Sequence, residues 1–274
     1  MGFKHLDNGL KSIFKEYETF IIDLWGVMHN GINLHPAAIE VLRNLKKHDK
    51  EFFLISNAPR PTDSVAKFLK KLNMEKKYFN HIYTSGDASI EALKLKKFGN
   101  KFFHIGPSRD FDLFIDFKID KVNSIEESEY LLCTGLFDFE ENNLDFYSKF
   151  LEKHIDKKLI CTNPDLIVHR GDLEEYCAGT IAKIFRSLGG SVIYYGKPYP
   201  DIYKNCIKEK KKVLAIGDNL NTDIKGANLM NYHSLFILNG VHKKEFASNK
   251  DIKLNQILKR LNLHINYYQN ELTW

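Results

Sequence analysis

The sequence predicts an α/β fold in which a parallel, doubly wound (Rossmann-like) sheet carries helices on both faces. Short apolar runs rich in β-branched and aromatic residues alternate along the chain with longer segments of helical character. Strands that alternate with helices form parallel sheets, because each crossover returns the chain to the same edge. The pattern restarts near residue 100, and 274 residues can bury one large core and a second, smaller one.

The first series of elements begins with a short helix and a strand that ends at Asp23. Pro36 suits the first turn of a helix, which predicts a helix after this strand. The expected elements are a helix at 10–16, the Asp23 strand, a helix at 36–47, a strand ending at Ser56, a helix at 62–72, a strand at 81–84 and a helix at 87–97.

The second series has its own apolar faces and is expected to form a separate small α/β domain. Its predicted elements are strands at 101–106, 130–135 and 158–162 and a helix at 143–153. The chain is expected to return to the core near Ser191. We therefore predict a core domain from residues 1–99 and 191–274 with a cap domain inserted at 100–190. Apolar residues at helical spacing in the region 254–272 are expected to pack on the core: Leu254, Ile257, Leu258 and Leu261.

Four strand-like runs end in polar residues, and these ends carry the chemistry. The polar residues are Asp23, the pair Ser56 and Asn57, Lys197, and Asp218 with Asp223. Because the carboxyl ends of parallel strands meet at one edge of a sheet, these groups are expected to lie together. Carboxylates hold a divalent cation, and hydroxyl, amide and ammonium groups bind phosphoryl oxygens. Each residue alone also fits an ordinary turn or helix cap, but the ordered set is a specific signal.

In this order, the four segments resemble the motifs of the haloacid dehalogenase (HAD) superfamily of aspartate-nucleophile hydrolases. About 140 residues separate the second and third segments. That gap resembles the branch with a large inserted cap, typified by NagD-type and p-nitrophenyl phosphatases. Four shorter stretches also look like that branch: Thr84-Ser85-Gly86, Thr162-Asn163-Pro164-Asp165, Gly196-Lys197-Pro198-Tyr199-Pro200 and Thr222-Asp223-Ile224-Lys225-Gly226-Ala227-Asn228. The resemblance covers roughly residues 15 to 240.

The resemblance implies a phosphatase mechanism. Asp23 would attack phosphorus and form an aspartyl-phosphate that water hydrolyses, and Ser56 and Lys197 would bind phosphoryl oxygens. The implied cofactor is Mg²⁺, held by the carboxylates of Asp23 and Asp218 and by the backbone carbonyl of Trp25. Asp223 would orient Lys197 or a metal-bound water.

Trp25 departs from the usual first motif, Asp-x-Asp-Gly, in which the second Asp is the general acid and base. An indole exchanges no proton at neutral pH, and loss of a general acid typically costs about 10²–10⁴-fold in rate. The segment from Asp23 to Val27 resembles a little-characterised subgroup with Asp-Leu-Trp-Gly-Val in this motif. His29 is a candidate substitute acid or base, with a packing role as its alternative.

Substrate recognition is assigned to polar residues near the expected opening of the site. The candidates are Asn57, Arg60, Arg109, His169 and Arg170, each of which also fits an ordinary turn or surface position. The substrate would be a small phosphorylated molecule.

Three classes of function follow from these residues. The first is a Mg²⁺-dependent phosphomonoesterase, and the second is a metal-independent aspartate-nucleophile enzyme such as a dehalogenase. The third, motivated by Trp25, is a catalytically weak scaffold that binds a phosphometabolite. A Mg²⁺ requirement separates the first two, and binding without turnover would reveal the third.

Composition argues against nucleic-acid and membrane partners. The net charge is +5, and only six of the 40 basic residues are Arg. The lysine-rich run at 208–212 contains Glu209 and is typical of a solvated helix end. No apolar run approaches 18 residues and the N-terminal segment has no signal-type core, so we expect a cytoplasmic protein. The four widely spaced cysteines are expected to be reduced, and a homodimer is left open.

Overall fold

The computed structural model describes residues 2–207, 211–246, 248 and 250–274. The described residues form strands β1 (Lys4–His5), β2 (Thr19–Asp23), β3 (Glu51–Ser56), β4 (Ile82–Thr84), β5 (Phe102–Ile105), β6 (Lys121–Val122), β7 (Tyr130–Cys133), β8 (Lys158–Cys161), β9 (Ile167–Arg170), β10 (Leu173–Tyr176), β11 (Ser191–Tyr194), β12 (Val213–Gly217), β13 (His233–Ile237) and β14 (Tyr267–Gln269). They form helices α1 (Pro36–Lys47), α2 (Thr62–Lys71), α3 (Ser85–Lys94), α4 (Leu144–Leu151), α5 (Ala178–Ser187), α6 (Pro200–Cys206), α7 (Lys225–Leu229) and α8 (Lys250–Leu261).

A seven-stranded parallel sheet forms the core, in the order β1-β14-β13-β12-β2-β3-β4. Every residue of β2 is buried, as expected for a central strand covered on both faces. Phe20 and Ile22 pack with α1 and α2 on one face, whereas Ile21 packs with α6 and α7 on the other. Because β2 lies between β12 and β3, the residues that follow these three strands meet at one edge.

A second parallel sheet has the order β11-β8-β7-β5-β6. Leu131 and Leu159 pack against α4 and α5 on one face. Leu132 and Ile160 pack on the other face with Leu93 of α3. Strands β9 and β10 form a separate antiparallel hairpin. We refer to residues 102–194 as the cap and to residues 167–176 as the cap hairpin.

The strand Ser191–Tyr194 differs from the sequence expectation, which assigned it to the core. It pairs with β8 in the second sheet, so the chain leaves that sheet only after Tyr194. An apolar run predicts a strand but not the strand with which it pairs, since pairing is a tertiary property.

The C-terminal region is also only partly helical. The helix α8 ends at Leu261, with Leu254 and Leu258 buried, and β14 then joins the core sheet between β1 and β13. The expected helix at 10–16 is a pair of short 3₁₀ turns, Leu10–Ser12 and Phe14–Glu16. The first three residues of the lysine-rich run, 208–210, lie outside the described residues. Among the described helices, none has the length and apolarity to cross a membrane.

Candidate active site

Lys197 joins two carboxylates at the carboxyl edge of the core sheet. Its Nζ lies 2.5 Å from Asp23 Oδ1 and 2.6 Å from Asp223 Oδ1, with all three side chains buried. Asn57 fixes the Lys197 backbone: its Oδ1 accepts the Lys197 N–H at 2.7 Å, and its Nδ2 donates to the Lys197 carbonyl at 3.2 Å. The residue that follows β3 therefore sets the position of the lysine beside β2.

Three buried carboxylates surround one side of this lysine. One oxygen from each of Asp23, Asp218 and Asp223 lies within 4.8 Å of the others. Asp223 Oδ2 accepts the N–H groups of Asp218 (3.1 Å) and Asn219 (3.0 Å), and Asp218 Oδ2 accepts the Val241 N–H at 2.6 Å. These bonds orient the carboxylates but leave their negative charges in excess over the single ammonium.

Burial and the neighbouring carboxylates raise the pKa values of two of these acids, Asp23 and Asp218. Burial, followed by the charge of Asp223, raises the pKa of Asp23 above its usual range in spite of Lys197. Burial and the charges of Asp23 and Asp223 also raise the pKa of Asp218 well above its usual range. An oxygen-only group with excess negative charge fits a hard divalent cation such as Mg²⁺ or Ca²⁺.

A cavity of about 620 Å³ opens above these groups, between the core edge and the cap. Ser56 ends β3 at the cavity wall, where its Oγ accepts the Ala58 N–H at 3.1 Å. The cavity is lined by every residue to which the sequence assigned a role: Asp23, Trp25, His29, Ser56, Asn57, Arg60, Arg109, His169, Arg170, Lys197, Asp218 and Asp223. The structure thus brings the residues together, and their individual roles stay predictions.

Trp25 contacts the cap through its side chain. The indole Nε1 donates to the His169 carbonyl at 2.9 Å, and the Arg170 guanidinium lies 5.2 Å from the ring centroid. The other ring neighbours of the indole are His29 at 5.1 Å and Phe68 at 6.4 Å.

His29 is buried beneath Trp25 and is poorly suited to give up a proton. Burial lowers its pKa to about 3, so the imidazole is neutral at physiological pH. Its Nδ1 accepts the Gly31 N–H at 3.0 Å. These contacts favour the packing interpretation of His29 over the acid or base interpretation.

Two of the three arginines predicted to bind substrate, Arg60 and Arg170, are paired with acids. Arg60 Nη2 lies 2.8 Å from Asp112, and its Nε lies 3.9 Å from Asp110. Arg170 forms a bidentate ion pair with Glu175: its Nε donates to Oε1 at 2.7 Å and its Nη2 donates to Oε2 at 3.2 Å. The charges of Arg60 and Arg170 are therefore already offset by cap carboxylates.

His169 of the cap hairpin is different, because its buried ring nitrogens have no hydrogen-bond partner among the residues that the structure describes. Its Nε2 lies 3.4 Å from Glu174 Oε2, but the contact lacks hydrogen-bond geometry. Burial lowers the pKa of this imidazole. His169 therefore lines the cavity with a neutral imidazole whose ring nitrogens are buried, one of them 3.4 Å from Glu174.

Two further cavity carboxyl groups have raised pKa values, and the sequence assigned a role to neither. Asp165 Oδ1 accepts from Asn219 Nδ2 (3.1 Å) and Thr222 Oγ1 (3.0 Å), and burial raises its pKa. It belongs to the matched stretch Thr162-Asn163-Pro164-Asp165, which was the available signal. Asp110 is buried in the cap with its pKa raised to about 7, mainly by burial. No motif marks its segment.

Family models and known proteins match this chain. Residues 20–119 match a family model described as haloacid dehalogenase-like hydrolase, and residues 194–262 match one described as HAD-hydrolase-like. The chain is 24% identical over 272 residues to an acid sugar phosphatase of Staphylococcus haemolyticus, covering 92% of this chain and 96% of that protein. It is 25% identical over 234 residues to the ribonucleotide monophosphatase NagD of Escherichia coli K12, covering 82% and 88%.

Solved structures show the same fold. A haloacid dehalogenase-like hydrolase from Brucella suis superposes with a TM-score of 0.84 at 27% identity, over 100% of both chains. A glycerol phosphate phosphatase from Mycobacterium tuberculosis, solved in complex with calcium, has a TM-score of 0.62 at 21% identity, over 84% of this chain and 68% of that chain.

Proposed function

Because the chain belongs to the haloacid dehalogenase-like hydrolase family, we propose that it is a Mg²⁺-dependent phosphatase that hydrolyses a small phosphorylated metabolite through an aspartyl-phosphate. The observation that carries the proposal is the buried group of Asp23, Asp218 and Asp223 around Lys197, at the floor of the cavity. The phosphatase names of the acid sugar and ribonucleotide relatives support the same chemistry.

The protein side chains divide the reaction between them. An oxygen of Asp23 forms a bond to phosphorus as the bond from phosphorus to the leaving oxygen breaks; water then attacks phosphorus, which releases phosphate and frees Asp23. Lys197 offsets the repulsion between the phosphoryl oxygens and the attacking carboxylate. The Ser56 hydroxyl, at the end of the neighbouring strand, donates to a phosphoryl oxygen.

The metal site is part of the same proposal. Asp23, Asp218 and the Trp25 backbone carbonyl would hold Mg²⁺, which when bound withdraws charge from the phosphoryl oxygens. Asp223 accepts hydrogen bonds from Lys197 Nζ and from the backbone N–H groups of Asp218 and Asn219. Its role in the proposal is therefore to position the lysine. The calcium in the related glycerol phosphate phosphatase structure supports a divalent cation in this fold.

Trp25 favours a second candidate, a protein that binds a phosphometabolite with little turnover. The indole fills the position where most phosphatases of this fold family carry their general acid. This candidate shares the cavity and Lys197 with the first and differs only in rate.

A panel of phosphomonoesters assayed for phosphate release with Mg²⁺, and again with EDTA, tests the proposal. Turnover that needs Mg²⁺ and is lost in Asp23→Asn is the expected result. Binding without turnover would favour the second candidate, and Mg²⁺-independent hydrolysis at carbon would replace both. Cytoplasmic location belongs to the proposal too, and cell fractionation tests it; light scattering measures the oligomeric state, for which a homodimer is left open.

A further inference from the structure

Three contacts join the loop that follows Asp23 to the cap hairpin. The indole Nε1 of Trp25 donates to the His169 carbonyl at 2.9 Å. The Gly171 N–H donates to the Asn30 carbonyl at 2.9 Å. The Arg170 guanidinium lies over the Trp25 ring at 5.2 Å. All three contacts link the core loop at residues 25–30 to residues 169–171 of the cap hairpin.

The backbone on both sides is shaped to allow this approach. Gly31 has a φ of +84°, and a Cβ there would lie 2.5 Å from the Trp25 ring. Gly171 has a φ of +63° at the tip of the hairpin, where a Cβ would lie 2.9 Å from Ile32. A side chain at Gly31 would displace the indole, and one at Gly171 would meet the end of the Ile32 side chain.

We propose that Trp25 is a positioning residue that docks the cap hairpin over the active site and thereby fixes His169 at the cavity wall. The proposal rests on the phosphatase function for its kinetic consequence only. The indole donates a hydrogen bond to the backbone of His169 itself, a residue of the cavity wall whose buried ring nitrogens have no hydrogen-bond partner among the described residues. A buried imidazole without partners is costly unless a ligand satisfies it. Trp25 thus holds a residue of the cavity wall in place from the core side.

The alternative is that Trp25 only fills volume. Trp25→Phe separates the two, because Phe keeps an aromatic ring for Arg170 and Phe68 but removes the N–H donor. The matched control is Trp274→Phe. Trp274 packs on Phe14 and His48 in the core and is absent from the cavity wall.

The first measurement is amide hydrogen exchange on the metal-free protein, which needs no activity. The Gly171 amide should exchange about five- to tenfold faster in Trp25→Phe, as expected when one hydrogen bond of the docked hairpin is lost. Amides of the core strands should be unchanged. Trp274→Phe should leave the exchange of Gly171 as in the wild type.

The second measurement is the KM of Trp25→Phe for two substrates. KM for a phosphomonoester whose leaving group reaches the hairpin should rise about five- to tenfold. KM for acetyl phosphate, which is too small to reach it, should rise less. A volume-filling role predicts an equal change for both.

Arg170→Gln removes the guanidinium that lies over the Trp25 ring, so it weakens the same contact from the cap side. It is the second variant to measure if Trp25→Phe does not fold. It should also speed exchange at Gly171. Unchanged exchange in both variants, or an equal increase in Trp274→Phe, would overturn the proposal. If the wild type hydrolyses no phosphoester, the exchange result still decides whether Trp25 docks the hairpin, and the phosphatase function fails separately.

Discussion

The ammonium of Lys197 lies 2.5 Å from the Asp23 carboxylate, and both groups are buried. The same nitrogen contacts Asp223, and Asp218 adds a third buried carboxyl group within 4.8 Å. The Lys197 ammonium is therefore the single positive charge in this group of three carboxyl groups. The site depends on Lys197 for charge balance, and it leaves negative charge that a divalent metal would neutralise.

Replacing this lysine should therefore destabilise the protein. Lys197→Met removes one partner of a buried ion pair, which typically costs about 3–5 kcal/mol. We expect the free energy of unfolding, measured by urea denaturation without metal, to fall by that order, and phosphate release to be lost. Lys204→Met removes an exposed lysine of α6 and is the control. Equal stability of the two variants would contradict the charge-balance role of Lys197.

Removing Asp218 should weaken the metal site. Asp218→Ala deletes one carboxylate of the group, and we expect its affinity for Mg²⁺ to fall at least about tenfold. Titration calorimetry measures the affinity, and the rise in melting temperature on adding Mg²⁺ gives an independent value. Asp201→Ala, at an exposed acid of α6, should bind Mg²⁺ as the wild type does. An unchanged affinity in Asp218→Ala would place the cation elsewhere.

The residues at the core edge could be predicted because their signals are local. Asp23, Ser56 and Asp218 each follow an apolar run, and the fold then carries such strand ends to one edge. The pairing of Ser191–Tyr194 with β8 could not be predicted, since the run would suit either sheet. Asp110 was missed because its burial comes from the cap packing around it and not from its neighbours in sequence.

Asp110 should make the stability of the protein depend on pH. Burial raises its pKa to about 7; Arg109, Thr134 and Arg60 oppose the rise, and Asp112 adds to it. In the unfolded chain an Asp loses its proton near pH 4. Between these values the unfolded state releases a proton that the folded state keeps. The unfolding free energy should therefore fall as pH rises, by up to about 1.4 kcal/mol per pH unit from this group.

Asp110→Asn removes this contribution. Urea unfolding of the wild type and the variant at several pH values between about 4 and 7 checks it: the stability of the wild type relative to the variant should decline with rising pH and level off above pH 7. The control is Asp116→Asn, an exposed acid on the same segment, whose profile should parallel that of the wild type. Parallel profiles for Asp110→Asn would show that Asp110 ionises normally in the folded protein.

The rate of hydrolysis should depend steeply on the leaving group. Trp25 supplies no proton, and His29 is neutral and bonded to the Gly31 N–H. Leaving groups that are stable as anions can still depart when Asp23 attacks. Aryl and acyl phosphates should therefore react, while alkyl phosphates should lag by about 10²–10⁴-fold in the chemical step. Single-turnover rates over a series of leaving groups measure this dependence.

Trp25→Asp should narrow the gap between alkyl and aryl substrates by restoring a carboxyl acid at this position. The variant also loses the indole volume and the bond to the His169 carbonyl, so its stability should fall, and the ratio of the two rates is the quantity to compare. His29→Ala should leave that ratio unchanged. If the native protein instead hydrolyses alkyl and aryl phosphates at similar rates, a proton donor exists at the cavity. Asp110, a cavity carboxyl whose pKa burial raises to about 7, is then the first to replace, and loss of alkyl turnover in Asp110→Asn would identify it as the donor.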